Sequence, residues 1–155
     1  MNRKNIEDWI PIAIEIIQQW RSEKLKHPDK LSNDEEKQWE LGIPSKYFGY
    51  LDSFGPTILQ SGIINSLTFY CQESGGADRI EIANLIRDVL ISSNTLTGVS
   101  NPNLSLLELT QDKISQDRFY WRNRIFEAII ACKMALKLFH RAKPEDVQSK
   151  DGEAV

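Results

Sequence analysis

The chain has 155 residues, 41% hydrophobic and 26% charged, with 19 Lys and Arg against 22 Asp and Glu for a formal net charge of −3. These values fit one soluble globular domain of about 100–200 residues, large enough to bury a core without staples, and exclude collagenous and low-complexity chains. No apolar run approaches the about 20 residues of a membrane helix, and Cys71 and Cys132 have no spacing for zinc or a disulfide framework. Two reduced thiols in a cytoplasmic protein are expected, with no secretory signal, because Glu7, Asp8 and Glu15 follow Arg3 and Lys4.

The patterning is helical throughout. Ile6, Trp9, Ile10, Ala13, Ile14, Ile17 and Trp20 recur at spacings of three and four. They predict a helix from about Trp9 to Leu25, capped by Asp8, with Pro11 tolerated in its first turn. The acidic stretch 32–40 predicts one or two exposed helical turns, and Leu41-Gly-Ile-Pro-Ser45 a break. Ser45 is expected to cap a short helix, Lys46 to Phe54. Gly55-Pro56 then bends the chain into a second helix reaching Ser74, with Gly75-Gly76 as its stop. Gly62, inside that second helix, reads either as tolerated or as permitting close helix approach. Asp78 opens the next helix, which carries Ile82, Leu85, Ile86, Val89 and Leu90; residues 92–103 read as a loop. Ser105 and Glu108 have the capping-box spacing for a short helix. A long last helix is expected from about Ser115 to Arg141, apolar nearly all round. Residues 144–155 are expected to be a polar, disordered tail. Nothing alternates with period two. The fold class is therefore all-α: one bundle over residues 1–143, of about five main helices plus short turns, with the C-terminal helix central. Ile17, Leu67, Ile86, Ala128, Ile129 and Ala131 are its predicted core.

Catalytic signatures are missing. There are two histidines, His27 and His140, neither with a carboxylate at a ligand spacing, and no P-loop or nucleophile elbow. Neither an enzymatic role, a cofactor nor a metal is expected. Charge is more informative. Between Lys113 and Lys143 eight bases face two acids, a net +6 that leaves −9 for the rest of the chain. On a wheel of about 100° per residue, Arg122, Lys133, Lys137 and Arg141 fall about 40°, 60°, 100° and 140° from Arg118. Phe126, Ile129 and Ile130 lie between these cations. Cations interleaved with aromatics suit single-stranded nucleic acid. The competing interpretation is a solvated face, since long basic side chains extend outward from apolar helices.

The segment Tyr47-Phe-Gly-Tyr-Leu-Asp-Ser-Phe-Gly-Pro56 leads into Ile58-Leu-Gln-Ser-Gly62-Ile-Ile and then Leu67-Thr-Phe69-Tyr70. Tyr120, Glu127-Ala128-Ile129 and Ala135-Leu136-Lys137-Leu138-Phe139-His140 follow. In order and spacing, from Lys46 to Arg141, these resemble the small helical subunit of type III-B CRISPR effector complexes, the Cmr complexes. The chain departs from that pattern at Ala135, Leu138 and His140, where the family has Trp, Arg and Ala. The resemblance implies a non-catalytic subunit that stacks as a filament beside guide RNA and target RNA and packs on other subunits and further copies of itself. Lys46, Arg118, Arg122, Lys133, Lys137 and Arg141 are the candidate RNA contacts. The acidic segment 34–40 and the basic end of the last helix are candidates for copy-to-copy contact. The alternative is a helical protein–protein adaptor without nucleic-acid contact.

Overall fold

The computed structural model describes residues 1–73 and 78–147. The fold is all-α, with one minimal sheet. Helix α1 spans Arg3–Lys26, α2 Asn33–Leu41, α3 Ser45–Ser61, α4 Ile63–Tyr70, α5 Arg79–Ser92, α6 Leu106–Gln116 and α7 Arg118–Leu136. Strand β1 (Ile43–Pro44) pairs in parallel with β2 (Arg141–Ala142). Helix α7 packs against α1, α3, α5 and α6. All six predicted core residues are buried, none more than 2% exposed.

Helix α1 begins six residues before its expected start. Asn2, not Asp8, caps it, the Asn2 carboxamide oxygen accepting from the Lys4 amide at 2.9 Å. The early start is tied down by α7, where Glu127 accepts from the Asn5 side chain at 2.8 Å and from the Asn2 amide at 3.3 Å. Pro11 therefore lies inside the helix, not in its first turn.

The acidic stretch forms the nine-residue α2, capped by Ser32, and it buries Trp39 completely. Its C-terminal carbonyls are satisfied by one side chain. Arg21 donates from Nε to the carbonyls of Trp39 and Gly42, at 3.0 and 3.1 Å, and from a terminal nitrogen to that of Glu40 at 2.9 Å.

Gly55-Pro56 does not bend the chain. The stripe Tyr47, Leu51, Phe54 and Ile58 continues straight through it, and all four are buried, so packing holds α3 together across the proline. The break falls at Gly62, at φ +86°, which is both the end of α3 and the start of α4. A residue without Cβ adopts that conformation readily. Ser45 is the first residue of α3 rather than its cap.

The stop expected at Gly75-Gly76 lies outside the described residues. Asp78 precedes α5, but its carboxylate binds Lys46 instead of capping the helix. Ser105 and Glu108 form the expected capping box, at 3.1 and 2.9 Å. The single long last helix is in fact two. Asp117 ends α6 and caps α7, accepting from the Tyr120 amide at 3.1 Å. After Leu136 the chain turns back, so Lys137 only caps α7 and Arg141 belongs to β2. The parallel pair requires glycine at position 42, where a Cβ would stand 2.1 Å from the His140 carbonyl oxygen. Residues 144–147 add a helical turn beyond the expected domain end, and Val147 is buried. Both cysteines are free thiols, and burial pushes both upward in pKa. Among the described residues no helix is long and apolar enough to cross a membrane.

Candidate nucleic-acid interface

The turn after α7 creates a basic cleft. The amides of Leu138 and Phe139 bond back to the carbonyls of Ala135 and Leu136, both at 3.1 Å, and this fold-back sets Phe139 beside the end of the helix. Lys133 from α7, Lys137 from its cap and Arg141 from β2 then converge on a cavity of about 270 Å³. Helix α3 supplies the opposite wall with Phe48 and Asp52, one turn apart on the same face. The Arg141 guanidinium lies 5.2 Å from the Phe48 ring centroid, and its Nε donates to Ser45 Oγ at 2.8 Å. Lys133 Nζ stands 3.5 Å from Asp52, whose side chain is 60% exposed, so the pair is weak and screened. Among the described residues Lys137 has no ion-pair partner. Three cations thus face one carboxylate.

Arg118 and Arg122 lie at the other end of α7, both exposed. Arg122 sits over the Phe126 ring at 5.5 Å, and Phe119 beside it is 76% exposed. Arg118 to Lys133 spans about 22 Å at about 1.5 Å per residue. One solvent-facing stripe of α7 therefore carries Phe119, Arg122, Phe126, Ile130 and Lys133 and runs into the cleft. Ile129, expected on that face, is buried instead. Trp121 is also a core residue, and Tyr120 packs under Arg124 at 4.9 Å.

Lys46 stands apart. Its ammonium is held by Asp78 at 2.5 Å and by Glu35 at 3.5 Å. Burial pulls its pKa down, but the Asp78 hydrogen bond and the Glu35 and Asp78 charges outweigh that and raise it. The residue belongs to a packed cluster. Trp20, Trp39 and Tyr47 meet with ring centroids 4.8–5.6 Å apart. Glu81 accepts from Tyr47 Oη at 2.5 Å and from Trp20 Nε1 at 3.3 Å, and it pairs with Lys24 at 2.6 Å. Burial, then the Glu81 charge, pushes the Tyr47 hydroxyl far above its usual range. Four helices, α1, α2, α3 and α5, are joined there. A cation committed to that junction is not available for phosphate.

Sequence reasoning named the three cations of the cleft but missed Phe48, Asp52, Ser45 and Phe139. The i, i+4 spacing of Phe48 and Asp52 marks a shared helix face, yet which helix it meets is a tertiary fact. Among the described residues no group of three His, Cys, Asp or Glu could hold a metal ion. No family model, curated protein or solved structure matches the chain.

Proposed function

We propose that this chain is a non-catalytic small subunit of an RNA-guided antiviral ribonucleoprotein complex of the type III-B kind, lying along the guide–target RNA and contacting its backbone. The observation that carries the proposal is the convergence of Lys133, Lys137 and Arg141, from three separate backbone positions, on one cleft with a single exposed carboxylate. The stripe to Arg122 and Arg118 extends the same cationic face over about 22 Å, the scale of several nucleotides. In this role the bases are read by guide–target pairing, the phosphates by these cations, and the chain itself does no chemistry.

Exposed Phe119, Leu138 and Leu59, at 76%, 70% and 65%, favour a second possibility: an adaptor that docks on protein alone. RNA affinity separates the two. With three phosphates neutralised, log K for single-stranded RNA should fall with log salt at a slope of about −2. The double variant Lys133→Ala/Lys137→Ala should weaken binding evenly across sequences and flatten the slope by about 1–1.5. Lys46→Ala should leave both unchanged, because its charge is already spent on Asp78 and Glu35. Unchanged affinity and slope in the double variant would leave the adaptor.

A further inference from the structure

We infer that the cleft between α3 and the end of α7 seats the base of one unpaired nucleotide, with its phosphate on Lys133 and Lys137 and its ring on the Arg141 guanidinium plane. The inference rests on the RNA-contacting function proposed above and adds to it a preference for an unpaired residue within an otherwise paired strand.

Three features carry it. The first is size: at about 270 Å³ the cavity falls just below the about 300–1,000 Å³ of pockets for drug-sized ligands, and so suits a single planar ring. The second is Arg141. A free arginine loses rotamer freedom when it stacks on a base, but this guanidinium is already held by Ser45 Oγ at 2.8 Å and by the Phe48 face at 5.2 Å. A planar donor group fixed on an aromatic ring is a ready stacking surface for a base. The third is the division of the lining. Leu51, Leu136 and Phe139 supply apolar wall, while both lysines belong to α7 and its cap. A duplex backbone needs only the lysines; the apolar wall and the fixed guanidinium are surplus to phosphate binding. Asp52, the one carboxylate, already faces Lys133 at 3.5 Å.

The test uses the full chain and short RNA duplexes that differ only by a single-nucleotide bulge, with affinity read by fluorescence anisotropy. One stacked base predicts that the bulged duplex binds about 5- to 100-fold more tightly than the intact one. Arg141→Lys keeps the charge and removes the plane, so it should cut that preference to less than about twofold while intact-duplex binding persists. A 2-aminopurine at the bulge should change its fluorescence on binding the unaltered protein, which decides the matter even if the variant misfolds. If intact duplex binds but the bulge adds nothing and the 2-aminopurine signal is flat, this inference falls and the backbone-contact role stands. If neither RNA binds, both fall.

Discussion

Glu127 shows how much one residue can do in the interior. It is fully buried, yet it carries a charge, and three groups answer it: the Arg124 guanidinium at 2.8 Å, the Asn5 carboxamide at 2.8 Å and the Asn2 amide at 3.3 Å. By joining the first turn of α1 to the middle of α7 it sets where the chain's first helix begins. Removing one partner of such a pair leaves the other charge buried and unmatched. Glu127→Ala should therefore lower the unfolding free energy by about 3–5 kcal/mol, measured by denaturant unfolding. Glu127→Gln, which keeps the shape and one acceptor, should lose less. The contrast with Lys46 is instructive. Both are charged residues in a helix, but one cation was expected at RNA and is held by carboxylates instead. Nothing local to Lys46 signals this, because Asp78 lies 32 positions away.

At the level of the element, α3 and α4 are governed by two residues whose usual meanings are exchanged. Pro56, a helix breaker by local chemistry, lies within α3, while Gly62 ends it. The apolar stripe decides. Burial of Phe54 and Ile58 on either side of Pro56 stabilises the helix by more than the lost hydrogen bond costs, whereas at Gly62 the backbone needs φ +86°. Gly62→Ala should then destabilise the protein by about 1–2 kcal/mol, the cost of a Cβ in the left-handed region, although nothing lies within 4 Å of that position. Pro56→Ala, which restores a helical N–H, should hold or raise the melting temperature. If Pro56→Ala is instead the more damaging of the two, the proline is required by α3, and packing alone does not explain the element.

For the whole molecule, the interior titrates on the alkaline side. Burial pushes Tyr70 up to about 12, against a pull downward from Arg79, and raises Tyr47 further. Lys46 is raised by its carboxylate partners despite its burial. In each case the folded state holds the proton more tightly than the unfolded chain. Their contribution to stability is complete below the unfolded values near 10 and is lost as pH rises from there toward the folded values. A melting temperature followed from pH 8 to pH 11.5 should stay level to about pH 10 and fall beyond it. Tyr70→Phe should lessen that fall, since it removes one of the groups the unfolded chain deprotonates. A melting temperature indifferent to pH up to 11.5 would show that these hydroxyls are solvated in the folded protein.

The sequence by itself determined the class of fold, the core of α1, α5 and α7, and the Ser105 capping box. Each depends on interactions within a few residues or on a 3.6-residue period, which the chain displays directly. It also named Lys133, Lys137 and Arg141 together, although on the premise of one helix running through Arg141 that the structure divides at Asp117 and ends at Leu136. Only the tertiary structure decided that the three still meet. The parallel pairing of Ile43–Pro44 with Arg141–Ala142 joins segments about a hundred residues apart, and the absence of a Cβ at Gly42 lets them approach. The same long-range geometry placed Phe48 under Arg141 and turned Lys46 away, because a side chain's partner across the core depends on helix packing rather than on neighbouring residues.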